Sequence, residues 1–285
     1  MFRELLGLEP TAVGNNIYSP SPGMLKVMVS DLSGYKKKDY SSQYTGDRKM
    51  LVVCTEDDHL EMKNGNIFLT GNHPIETFVP LMHLHAAGFR FDFATPTGKP
   101  VAIEEWAFPR KDPEFDAFVA SLKAAMEQPL AMSEVAAGVT NDAYLAVFIP
   151  GGHGALLGLP SDKNVGHILK SAHGKGLHIV SICHGPAALL AAADGAADEH
   201  FLFNGYAIAA FPDGMDRQLP TFGYLPGELP WYFGKRLEAL GVDIINHLAT
   251  GKTHVDRKLI TGDSPLAADK LGQLATEALL DAHAS

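Results

Sequence analysis

The sequence predicts an α/β fold with a mostly parallel sheet, and three observations predict it. From Lys49 onward, short apolar runs alternate with longer amphipathic stretches, the texture of strands connected by helices. Several runs (50–54, 144–149 and 177–182) are near-continuously apolar, as central strands covered on both faces must be. The stretches between them carry helix start and stop residues. With 285 residues, 46% of them hydrophobic and 20% charged, the chain can bury one large core or one core plus a smaller unit.

The elements follow in order. Residues 1–48 mix Gly, Pro, Ser, Tyr and Lys without a period of two or 3.6, so they are expected to form an irregular N-terminal extension docked on the body or on a partner subunit. The core runs over 49–285. Its main strands are expected at 50–54, 90–94, 144–149, 177–182 and 259–261. Asn72 is expected to cap a helix with Pro74 just inside its start, running through Glu76 and Leu84 to Gly88 and kinked at Pro80. Over 100–142 the alternation lapses into a Pro-rich, helix-like stretch, which predicts a small inserted subdomain. Further helices are expected at 164–173 before Gly174, at 186–193, at 231–240 before Gly241 and at 266–282.

Charge and cysteine content narrow the function. The 23 basic and 33 acidic residues leave a net charge of −10, the wrong sign for binding nucleic acid or an anionic membrane through phosphates. Two cysteines, Cys54 and Cys183, exclude a disulfide scaffold and favour the reducing cytoplasm. No apolar stretch approaches the roughly 18 residues of a membrane helix, and residues 1–10 lack the apolar segment of a secretory signal.

Three motifs carry chemistry. Ser181-Ile182-Cys183-His184-Gly185-Pro186 joins an apolar strand to an Ala-rich helix and has the form small-x-nucleophile-x-small. Such an elbow lifts the nucleophile above the sheet edge, and the helix N-terminus behind it favours a thiolate. Cys54 ends a strand without such companions and reads as core filling. Pro150-Gly151-Gly152-His153-Gly154 follows the 144–149 strand, where glycines let backbone N–H groups approach a ligand and form an oxyanion hole. In an open parallel sheet, ligands gather at these carboxyl ends. Glu76, in the first turn of the helix opened by Asn72-His73-Pro74, can relay protons if it reaches Cys183; alone it reads as a helix-start acid favoured by the dipole.

These motifs, in this order, resemble the ThiJ/PfpI superfamily and its long HchA-type branch. The likeness runs from about Lys49 to the C-terminus. It includes TGNHPIET from Thr70, HLHAAGF from His83, PGGHGALLGLP from Pro150, CHGPAALLA from Cys183, WYFGKRLEALG from Trp231 and DRKLITGDSP from Asp256. The resemblance implies a flavodoxin-like sandwich, a small added subdomain and a homodimer. It places the nucleophile on Cys183, its imidazole on His184, the proton-relaying acid on Glu76, and oxyanion donors near Gly151, Gly152 and His184. The third triad member falls on Asp216, with Asp213 as the alternative. Where the branch binds zinc, this chain has His85, Arg90 and Leu122, so no zinc is expected there.

The function expected from resemblance and residues together is cofactor-free conversion of 2-oxoaldehydes such as methylglyoxal to D-lactate, as in glyoxalase III, together with deglycase activity. The rivals are a holding chaperone for unfolding clients and a cysteine peptidase. A glutamine amidotransferase needs a His-x-Glu pair after the cysteine, and none of His200, His247, His254 or His283 begins one.

Overall fold

The computed structural model describes residues 7–193 and 200–283. A seven-stranded sheet forms the centre, in the order β12 (Thr253–Asp256), β13 (Leu259–Gly262), β9 (His178–Ile182), β8 (Tyr144–Ile149), β3 (Lys49–Val53), β6 (Phe91–Thr95) and β7 (Leu130–Ala131). Its parallel part comprises β3, β6, β7, β8, β9 and β13. The edge strand β12 pairs antiparallel with β13. All six residues of β8 and all five of β9 are buried, as their continuous apolar character requires. This is the flavodoxin-like sandwich expected.

Seven α-helices of six or more residues are described: α1 (Pro22–Met28), α2 (Pro74–Ala86), α3 (Pro113–Glu127), α4 (Met132–Thr140), α5 (Lys163–Gly174), α6 (Phe233–Glu238) and α7 (Ala268–His283). Among the described residues, no helix is long and apolar enough to cross a membrane. α2 runs through Pro80 unbroken and has eleven buried residues. It is not capped by Asn72, as the sequence had suggested: His73 holds the cap position with no side-chain bond. The Asn72 side chain instead donates to the Thr55 and Ala102 carbonyls and accepts from Thr55 N–H. It thus ties the end of β3 to the segment leading to Glu104. Gly174 ends inside α5 rather than beyond it; the left-handed residue that stops the chain is Gly176, at φ 65°. Residues 186–193, expected as an α-helix, lie mostly in a tighter 3₁₀ coil over Gly185–Ala192.

The first 48 residues are not irregular throughout. β1 (Thr11–Gly14) and β2 (Ile17–Ser19) join β4 (His59–Glu61) and β5 (Ile67–Leu69) in a second sheet, and α1 follows, capped by the Ser21 hydroxyl. Strands of only three or four residues leave too little periodic signal to be read from sequence. Beyond α1, an extended stretch is pinned by His83, which is fully buried: it accepts from the Tyr40 hydroxyl and donates to Asp269, each at 2.9 Å. In the 100–142 stretch, α3 is an added helix, whereas β7 extends the main sheet beside β6 and α4 packs against α5.

One core group makes folding pH-sensitive. His178 opens β9, is 7% exposed, and has its pKa lowered to about 4 by burial and then by Lys258 and His283. The unfolded chain binds a proton near 6.5 that the folded chain refuses until about 4, so stability is full above 6.5 and is lost as pH falls towards 4. Thermal melts from pH 7 to pH 4 should show His178→Gln losing less stability than wild type, by on the order of 2 kcal/mol. Parallel curves would exclude the assignment.

Candidate active site

The carboxyl ends of β8 and β9 meet at Cys183. At φ 59° its backbone is left-handed, a costly state for a residue with a side chain. Tertiary bonds hold it there: Cys183 N–H donates to Gly262 O at 2.8 Å, and Phe211 N–H donates to Cys183 O at 3.0 Å. A Cβ on Gly185 would lie 2.5 Å from Ile149 O and 2.6 Å from Ser181 Oγ, so the next position but one must be glycine. Successive side chains on a turn usually diverge. Here the left-handed step folds His184 back, and its Nδ1 stands 3.2 Å from the Cys183 sulfur.

Beyond His184 lies a buried carboxylate. Burial alone would raise Asp216, but the His184 charge and bonds from His153 and His184 outweigh it and hold its pKa down to about 2. As an ionised acceptor, Asp216 takes the Nε2–H of His184 at 3.0 Å and the Nε2–H of His153 at 3.1 Å. This fixes the tautomer of His184: Nδ1 is free to accept the thiol proton. Asp213, the alternative, lies elsewhere and caps α6 by accepting from Gly234 and Lys235 N–H. His153, His184 and Asp216 are also spaced closely enough to suit a metal ion, but both imidazole Nε2 atoms are engaged as donors to the carboxylate.

Opposite the sulfur is Glu76, in the first turn of α2 and fully buried. Burial pushes its pKa well above the carboxylate range, although the Cys183 thiol and Gly152 N–H face it and oppose this. Neither neighbour closes a well-aligned hydrogen bond to either oxygen. Burial and then Glu76 also push the Cys183 thiol well up. The resting pair is therefore acid and thiol, not the thiolate expected from the helix N-terminus. Desolvation outweighs the dipole of a short 3₁₀ coil, and the thiolate has to form by proton transfer to His184.

The glycines of the second motif are required by crowding. A Cβ on Gly151 would overlap the Glu76 carboxyl and lie 2.5 Å from Ile182 O and 2.7 Å from Cys183 Cβ. A Cβ on Gly152, at φ 97°, or on Gly154 would run into Gly71 O, and Gly154 N–H donates to that oxygen at 3.1 Å.

Two residues of this centre were not assigned from sequence. His153 was read only as the x of GGxG. Glu104 lay in the 100–142 stretch with no motif around it; it is 1% exposed, with Oε1 accepting from the Thr70 hydroxyl at 2.7 Å and from His153 N–H at 3.3 Å. Cys183, Glu76, Glu104, His73, His153 and Tyr224 line one cavity of about 30 Å³. Among the described residues, the four buried side-chain polar atoms without a hydrogen-bond partner (both Glu76 oxygens, Glu104 Oε2 and His73 Nδ1) all belong to its walls. Met28, Phe211, Leu219 and Pro265 separate it from an apolar groove of about 390 Å³.

The zinc location of the HchA-type branch does not fit zinc here. His85 is exposed against Phe118, the Arg90 guanidinium donates to the Gly46 and Asp47 carbonyls, and Leu122 offers no donor atom.

A parallel α/β sheet carrying a cysteine on a left-handed elbow, backed by His and Asp and faced by a buried acid, defines a class of thiol-dependent enzymes. Comparison narrows the class. Residues 67–200 match the DJ-1/PfpI family. The protein/nucleic acid deglycase HchA of Escherichia coli O157:H7 is 45% identical over 271 residues, covering 95% of this chain and 94% of its own. Protein/nucleic acid deglycase 1 of Escherichia coli K12 matches to the same extent. The chain belongs to the DJ-1/PfpI family. Glyoxalase III from Candida albicans shares the fold, with a TM-score of 0.63 at 20% identity over 80% of this chain and 97% of that one. The Rapid Encystment Protein 24 KDa of Francisella tularensis does so at 0.66, with 22% identity over 81% and 99%.

Proposed function

We propose that this protein converts 2-oxoaldehydes such as methylglyoxal to 2-hydroxy acids without glutathione or another cofactor, and removes the adducts such aldehydes form on protein or nucleic acid. The observation that carries the reading is the Cys183 thiol set between a proton acceptor, His184 Nδ1, and a buried protonated acid, Glu76. Deglycase relatives at 45% identity support it.

The chemistry follows from the geometry. His184 takes the thiol proton, and Asp216 stabilises the imidazolium that results. The sulfur bonds to the aldehyde carbon while Glu76 protonates the aldehyde oxygen, giving a hemithioacetal. Glu76, now a carboxylate, removes the hydrogen from that carbon while a second donor in the cavity wall lends a proton to the neighbouring carbonyl oxygen, giving an enediol. Returning the Glu76 proton to the second carbon, while the hydroxyl on the sulfur-bearing carbon gives its proton back to that donor, leaves a thioester. Water then gives a proton to the Glu76 carboxylate and its hydroxide to the thioester carbon, and the His184 imidazolium returns its proton to the leaving sulfur, so the acid and the thiol are both restored. The Gly152 N–H, aimed at sulfur and acid together, is the oxyanion donor we favour.

Incubated with methylglyoxal and no glutathione, the protein should yield D-lactate in step with aldehyde loss, measured by a D-lactate-specific coupled assay. Loss no faster than buffer alone overturns the reading.

Holding of unfolding clients is a second reading, favoured by apolar side chains exposed around the groove: Val27 at 78%, Leu266 at 73%, with Met28 and Phe222 beside them. We place the protein in the cytoplasm as a homodimer, in keeping with two free cysteines.

A further inference from the structure

We propose that Glu104 is a second acid of the site, one that recognises the oxygen adjoining the aldehyde and so selects 1,2-dicarbonyl substrates over simple aldehydes. This rests on the aldehyde attack proposed above.

Glu104 is held with unusual care for a residue with no hydrophobic role. Asn72, itself anchored to Thr55 and Ala102, accepts Glu104 N–H at 3.0 Å. The Thr70 hydroxyl and His153 N–H fix Oε1. Trp106, two residues on, packs ring against ring with Phe68 and Tyr224, with centroids 5.6 to 5.9 Å apart. Two donors thus orient one oxygen while the other, Oε2, stays buried and unpartnered in the wall of the cavity that holds Cys183 and Glu76. Leaving a carboxyl oxygen unpaired away from water is unfavourable, and a ligand atom at that point removes the penalty.

The protonation state suits a donor. Burial raises Glu104 to about 7, against the opposing pull of His153, Thr70 and the His153 N–H. The other titratable groups coupled to it, Glu76 and Tyr224, carry raised pKa values and favour its neutral form when ionised. A neutral Glu104 can donate O–H to a carbonyl; an ionised one would repel it.

The assignment also supplies a proton the reaction needs. As Glu76 removes hydrogen from the sulfur-bearing carbon, Glu104 gives its proton to the adjoining oxygen. As the thioester carbonyl forms, Glu104 regains one from the hydroxyl on the sulfur-bearing carbon, so no proton is gained or lost. A simple aldehyde has no second oxygen for Glu104 and stops at the hemithioacetal.

The test compares how well methylglyoxal and propanal protect Cys183 from alkylation by iodoacetamide, read by mass spectrometry, in wild type, Glu104→Gln and Glu104→Leu. Glu104→Leu should weaken protection by methylglyoxal about tenfold or more and leave protection by propanal unchanged. Glu104→Gln keeps an N–H donor and the acceptor for Thr70, so it should retain protection by methylglyoxal while kcat falls, because an amide cannot transfer the proton. Equal weakening for both aldehydes, or unchanged methylglyoxal protection and kcat in both variants, overturns the role of Glu104 alone. If neither aldehyde protects wild type, aldehyde attack by Cys183 itself is overturned, and the role of Glu104 with it.

Discussion

Cys183→Ala is expected to abolish D-lactate formation from methylglyoxal, lowering kcat/KM on the order of 10⁴-fold or more, while the protein stays folded. The difference between these two effects is the informative part. Among the described residues lining the cavity Cys183 carries the only thiol, so no neighbour replaces it as a sulfur nucleophile. Its loss deletes one small buried group, worth about 1 kcal/mol of burial, and leaves the His184–Asp216–His153 bonds untouched. Kinetics with D-lactate detection, alongside a thermal melt, check both. Residual turnover within tenfold of wild type would remove Cys183 from the chemistry. Suppression of client aggregation should survive this substitution, because Val27, Phe222 and Leu266 line the groove and not the cavity that holds the thiol.

Gly151→Ala should be nearly as damaging for a steric reason. The added methyl falls among the Glu76 carboxyl, Ile182 O and Cys183 Cβ, all fully or almost fully buried. None can retreat: Glu76 sits on a buried helix turn, Ile182 belongs to the central strand β9, and Cys183 is already in a left-handed conformation. Overpacking of this kind costs about 1–3 kcal/mol. Displacing acid from thiol by even an ångström costs about 100-fold in rate. A melting-temperature drop of several degrees with a kcat/KM loss near 10² is expected. Gly174→Ala is the control: it lies in α5 and a Cβ there meets nothing within 4 Å, so kcat/KM should stay unchanged and the melting temperature should not fall.

The main sheet was legible in the sequence because its strands are buried on both faces. Continuous apolar runs such as Tyr144–Ile149 leave no rival reading of comparable length. The small sheet was not, because Thr11–Gly14 is wholly exposed and Ile17–Ser19 only partly covered, so neither strand carries an alternating pattern. The elbow was visible through small residues flanking Cys183, whose necessity is steric and therefore written in composition. The companions of the site were harder to find. Glu104 and His153 act through contacts across 34 to 63 positions of chain, and nothing in their immediate neighbours distinguishes them from other polar residues. The charge state of Cys183 was misjudged because local sequence shows the helix behind the sulfur but not the enclosure around it.

The walls of the cavity come from segments near residues 28, 73, 104, 152, 183, 211, 224 and 265. No half of the chain contains them all, and the outermost contributors are separated by most of its length. Closing such loops is the slow part of folding a parallel sheet. Recovery of turnover after dilution from denaturant should therefore trail the recovery of helical signal, so that catalysis marks the completion of folding, not its beginning.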